Sequence, residues 1–221
     1  MEFGKLVRDS VGYAKEGLVG KWINWILLII SCIIFPFILG YIMRIYRGAS
    51  KAPELNEWGS MFIEGIKLFI VVLIYAIPII IIELAVLGST FITTMTLKTA
   101  GHENPAQLMS LIGGVLFGFI ILVIVSIIIG LILATAVVRF ARMNSIGEAF
   151  NFSAIFAHIG KIDFVSYLIA LIIMVIIIGV IGCICIMIPY IGWLLLLIIL
   201  PFLALFKARY LTLLYESAGP V

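Results

Sequence analysis

The chain has 221 residues, 65% hydrophobic and 11% charged, against roughly half and about a quarter in soluble domains, so a water-soluble fold that hides its apolar side chains is excluded. Its net charge is only +3, and its cations sit at the ends of apolar runs rather than in one stripe. No nucleic-acid surface and no nucleic-acid partner is expected.

The first 20 residues, MEFGKLVRDSVGYAKEGLVG, are charged and amphipathic, with Phe3, Val7, Val11, Ala14 and Leu18 on one helical stripe. No small-residue cleavage site follows the next apolar run, so this stretch reads as a retained helix lying in the membrane interface and not as a signal peptide. No charged residue then occurs from Trp22 to Met43, from Leu108 to Val138, or from Phe164 to Phe206. Runs of about 18 or more such residues are candidate membrane helices. The third is too long for one crossing, and IPYIG at 188–192 supplies a Pro and a Gly for a tight hairpin. Adding the run from Lys67, which meets Glu83 late, the apolar segments are about 22–43, 67–87, 108–138, 164–187 and 192–206. The expected fold is an all-α, polytopic membrane helical bundle of four to five spans, in one integral membrane domain covering 1–221.

Positive charge collects in short cytoplasmic loops. Arg44, Arg47, Lys51 and Lys67 follow the first run, Arg139, Arg142 and Lys161 follow the third, and Lys207 and Arg209 lie in the tail; the opposite connections hold only Lys98. The C-terminus is therefore expected in the cytoplasm, in a cell-membrane protein. Lys5, Arg8, Lys15 and Lys21 give the N-terminus the same side, which five complete crossings would forbid. Two readings stay open: the N-terminal helix breaks the charge rule, or Trp22–Arg47 dips in and returns around Phe35-Pro36-Phe37, with arms of about 13 residues, too short to span.

Two further amphipathic segments are expected on the cytoplasmic face. Near 54–66, Leu55, Trp58 and Phe62 share a face that Phe69 extends, with Glu54, Glu57 and Glu64 mostly elsewhere. Near 145–161, Ser145 and Glu148 have capping-box spacing and favour a helix start. WGSMFIEGIK and FSAIFAHIGK align without a gap, each following an Arg-x-x-Arg pair, and CIIFPFILGY echoes LIILPFLALF; a duplication and chance alignment of aliphatic runs both account for this. On the far side a loop from Gly88 to Pro105 is expected, with Asn104-Pro105 opening the third span through a cap and a first-turn proline.

The order GYIMRIYRG, PELNEWGSMFIEGIK, GEAFNFSAIFAHIGK and PFLALFKARYLTLLY resembles an uncharacterised multi-pass membrane family common in archaea, domain-of-unknown-function family 4013. Gly40, Tyr41, Arg44, Gly48, Pro53-Glu54 and Trp58–Gly65 carry the likeness most specifically. The resemblance implies a membrane-embedded helical domain and supplies no activity or site.

Candidate sites follow from chemistry. Arg44, Arg47, Arg139, Arg142, Lys207 and Arg209 are candidate lipid-headgroup contacts, guanidinium groups being suited to bidentate phosphate binding, although simple orientation by charge would also place arginines there. Glu83 is the one acid inside an apolar run and the candidate intramembrane polar site; its place near the far interface also fits snorkelling. Gly114 and Gly118, with Gly130 and Ala134, form a small-residue seam for helix packing. His102, His158 and the three cysteines, Cys32, Cys183 and Cys185, have no ligand spacing, so neither a metal nor another cofactor is expected. No phosphate loop, nucleophile elbow or zincin pattern occurs. The expected function is non-enzymatic: a structural, self-assembling or lipid-organising scaffold with membrane lipids as partners and a homo-oligomer or membrane complex as its setting. The alternative is a transporter or channel for a small solute, supported by Glu83 and by Pro36, Pro78, Pro189 and Pro201.

Overall fold

The computed structural model describes residues 2–100 and 105–219, and its regular structure is all helical. In chain order the α-helices are α1 (Phe3–Leu18), α2 (Trp22–Ile33), α3 (Phe35–Tyr46), α4 (Trp58–Ala100), α5 (Pro105–Met143), α6 (Phe152–Ile162), α7 (Phe164–Met187) and α8 (Gly192–Glu216). Four of them, α4, α5, α7 and α8, are long and apolar enough to cross a membrane; α1 with α2 adds a fifth candidate if a pair bent by 105° is counted as one span. The expected membrane helical fold is therefore present. One compact unit comprises the chain through Val71 and from Ile132 onward, and the other is Val72–Leu131.

Within the larger unit, α1 lies against α8. Its buried residues are Leu6, Ser10, Tyr13, Ala14, Gly17 and Leu18, whereas Phe3, Val7 and Val11 of the expected stripe are only half-buried. Small side chains decide this rotation. Ser10, Ala14 and Gly17 let the two helices approach, and a Cβ at Gly17 would come within 2.8 Å of Ala52 Cβ. The first apolar run is broken at Ile34 into α2 and α3, 12 residues each, about 18 Å apiece and well short of a bilayer's hydrocarbon core. Trp25 Nε1 donates to the Ile198 carbonyl on α8 at 2.9 Å, next to the carbonyl that Pro201 deprives of a donor.

Three expectations are corrected. The 54–66 segment is not a separate helix: α4 begins at Trp58, leaving Glu54, Leu55 and Glu57 outside it, and runs on through the apolar residues past Pro78. The far-side loop expected from Gly88 is helical as far as Ala100. Hydroxyls explain this: Ser89, Thr90, Thr93, Thr94 and Thr96 each donate to a carbonyl three or four residues earlier, so they are satisfied inside the helix. Pro105 does open α5, while Asn104 lies outside the described residues. The helix expected from Ser145 is divided. A 3-10 turn spans Ile146–Phe150, Ser145 makes no side-chain cap, and Asn151 accepts from Ala154 N at 3.2 Å to start α6.

Turns at the helix junctions follow from local chemistry. Asp163, at φ 75°, ends α6 and caps α7 by accepting from Ser166 N at 3.1 Å. Between α7 and α8, Tyr190 has φ 66°, and a Cβ on Gly192 would strike the Cys185 carbonyl.

Candidate functional site

The arginines converge on the segment that follows α3. Arg44 donates to the Glu54 carbonyl at 3.2 Å, Asn56 Oδ1 at 2.9 Å and Ser60 Oγ at 3.2 Å. Arg47 pairs with Glu64 at 2.8 Å and reaches Asn144. From α5, Arg142 donates Nε to the Tyr46 carbonyl at 2.8 Å and pairs with Glu216. From α8, Arg209 donates to the Ala49 carbonyl at 3.2 Å, and the Thr212 hydroxyl is shared between the Ala208 carbonyl of its own helix at 2.8 Å and the Ile45 carbonyl at 3.3 Å. Tyr13 of α1 donates to the Lys51 carbonyl at 3.1 Å and lies under the Arg209 guanidinium, while Tyr41 donates to the Pro53 carbonyl at 3.0 Å.

Six carbonyls between Ile45 and Glu54 thus accept from side chains of α1, α3, α5 and α8. A helix C-terminus leaves carbonyls unpaired and carries partial negative charge, so arginines and hydroxyls are suited to satisfying it. Gly48, at φ +96°, turns the chain where a Cβ would stand 2.9 Å from the Arg142 guanidinium.

A second cluster lies where α6 meets the end of α8. Arg139, on α5, donates Nε to Glu148 Oε2 at 2.7 Å and forms an ion pair with it. His158 is 6% exposed, its ring stacks on Tyr215 at 3.7 Å, and its Nε2 lies 2.9 Å from the Tyr215 carbonyl. A carbonyl only accepts, so Nε2 carries the proton. Burial holds the His158 imidazole below its ordinary value; the hydrogen bond to Tyr215 opposes that, and Lys161 and Arg139 reinforce it. Beside it opens a cleft of about 190 Å³ lined by Arg139, Ala154, Ala157, His158, Lys161, Ala218 and Gly219.

The other sequence-selected residues are dispersed. Lys207 is exposed on α8, Arg209 half-buried. Glu83 is exposed on α4, and no ion pair among the described residues includes it. Gly118 packs onto Val86, whereas Gly114 and Gly130 have open space where a Cβ would stand and Ala134 is half-buried. The tightest backbone approach involves glycines outside that seam. A Cβ on Gly40 would strike the Met61 carbonyl, and one on Gly65 the Pro36 carbonyl. Gly40 and Gly65 sit in GYIMR and FIEGIK, where spacing alone does not mark a crossing. No group of three His, Cys, Asp or Glu able to hold a metal occurs among the described residues, and His102 lies outside them.

The family described as "Protein of unknown function (DUF4013)" matches residues 24–190. The chain belongs to that family. In this DUF4013 chain the match runs from the start of α2 to the α7–α8 turn, so it covers the Arg44 to Glu64 network and the Arg139–Glu148–His158 cluster, while the partners on α1 and the body of α8 lie outside it. No curated protein and no solved structure matches the chain.

Proposed function

We propose that this DUF4013 protein is a non-enzymatic integral membrane scaffold that assembles with itself or within a membrane complex and organises the lipid around it, its arginine-braced face and C-terminus on the cytoplasmic side. The carrying observation is where the polar chemistry goes. Arg44, Arg47 and Arg142 are held by carboxylates, amides and main-chain carbonyls of the same chain, so they act as braces, and Arg139 pairs with Glu148 while also lining the cleft beside His158. Outward contact to headgroups falls to the exposed Lys5, Lys15, Lys21, Lys51, Lys161 and Lys207.

The α2–α3 segment is read as re-entrant. The Tyr13–Lys51 bond joins the helix before it to the connector after it, which supports entry and exit on one side, and each arm is too short to cross. That topology removes the conflict over the N-terminal lysines, since α4, α5, α7 and α8 make an even number of crossings.

The test is native mass spectrometry of the protein extracted with its lipids, alongside Arg44→Glu combined with Arg139→Glu. A discrete homo-oligomer carrying phospholipid, lost in the double variant, is the expected outcome. A bare monomer removes the scaffold reading, and an unchanged double variant removes the braces from it. The transporter reading keeps one specific support, the exposed Glu83 without an ion-pair partner among the described residues. Solute flux in liposomes abolished by Glu83→Gln would favour it.

A further inference from the structure

The cleft beside His158 is unlike the rest of the cytoplasmic network because one of its two cations, Lys161, has no carboxylate partner among the described residues. Glu148 takes Nε and Nη2 of Arg139, whose guanidinium also bears on the Tyr215 side chain. Lys161, one turn beyond Ala157 on α6, is exposed and in no ion pair among the described residues. The Tyr215 hydroxyl, next to the cluster through the ring stack on His158, is buried with no hydrogen bond of regular geometry among the described residues. No carboxylate among the described residues lines the cleft, and its remaining walls are Ala154, Ala157, Ala218 and Gly219, small enough to admit a tetrahedral oxyanion. A volume of about 190 Å³ is several times the roughly 30 Å³ that a water occupies in the liquid.

We infer that this cleft binds a phosphate-class anion, held by the Arg139 guanidinium and Lys161 Nζ over a small-residue floor, and supplied as the headgroup of an anionic lipid or as free phosphate. It deepens the lipid-organising reading, on which it rests, by giving that role a defined seat. His158 serves as a positioning residue: its bond to the Tyr215 carbonyl fixes the end of α8 against α6 and so shapes the floor.

The experiment titrates the full chain in a neutral detergent with phosphatidylglycerol, and separately with inorganic phosphate as a competitor, reading adducts by native mass spectrometry. Three variants are compared with the parent: Lys161→Glu, Ala157→Met to fill the cleft, and Lys67→Glu, which changes an exposed lysine elsewhere by the same charge. The expected result is one tightest lipid adduct in the parent, weakened at least about tenfold by Lys161→Glu and by Ala157→Met but not by Lys67→Glu, as loss of a charge-assisted bond implies. Displacement by inorganic phosphate identifies free phosphate as a sufficient ligand; lipid retained against it identifies the headgroup. Equal weakening by Lys161→Glu and Lys67→Glu, or none from Ala157→Met, overturns the site while leaving lipid association intact. A parent that retains no lipid and forms no oligomer overturns the scaffold reading itself.

Discussion

His158 shows how much of a residue's role is set by what buries it. In the sequence it is a lone histidine on an amphipathic stretch, and nothing in FSAIFAHIGK announces that its ring will be sandwiched against a tyrosine 57 positions later. The environment lowers its proton affinity, burial first, and the sign of the consequence follows. Between the lowered native value and the ordinary 6.5 the unfolded chain binds the proton and the folded chain does not, so folding stability falls as pH drops through that window and is complete above it. His158→Gln, which cannot titrate, should flatten this part of the dependence. Thermal unfolding in detergent at pH 7.5 and 5.5 measures it; an equal drop in parent and variant would remove the assignment. The arginines teach a related lesson. Their positions at run ends were visible, but a guanidinium bound to a carbonyl and one facing a phosphate look identical in sequence.

At the level of elements, the apolar runs were legible because charge is excluded from them, and the breaks at Pro and Gly marked the α7–α8 turn. Helix ends were less so. The α4 extension past Gly88 depends on threonines that bond back to their own helix, a choice that hydropathy does not register. Of the small residues picked out by spacing, Gly118 meets Val86, while among the described residues a tighter crossing joins α3 to α4 at Gly40 and Gly65. Because the atoms facing these glycines are main-chain carbonyls, which cannot swing aside, Gly65→Ala and Gly40→Ala should each destabilise by about 1–3 kcal/mol. Gly59→Ala, on the same helix with nothing within 4 Å of the added carbon, is the matched control. Thermal unfolding of the three variants decides it, and a Gly65→Ala protein as stable as the control would contradict the crossing. The echo between the halves gains one parallel: Arg44 reaches the Glu54 carbonyl and Arg139 the Glu148 carboxylate, where the gapless alignment pairs Glu54 with Glu148 and the arginines match after a one-residue shift.

For the molecule as a whole, composition alone placed the chain in a membrane, whereas what joins its N-terminal helices to the rest was invisible, since those joints are long-range and made by single side chains. Tyr13, Arg142, Arg209 and Thr212 come from three helices to the end of α3 and the connector that follows it. A chain ending after Phe206 lacks Arg209, Thr212 and Glu216, and should be cut within residues 48–57 under limited proteolysis conditions that spare the full protein; equal resistance would show that the connector holds itself. The same joints carry a consequence in time. The Ala49–Arg209 and Ile45–Thr212 bonds link positions 160 and 167 residues apart. At a synthesis rate of about 5–20 residues per second, the connector waits roughly 8–30 s on the ribosome for its fasteners. Throughout that interval the nascent chain presents an unlatched segment to chaperones and proteases, and only the arrival of α8 ends it.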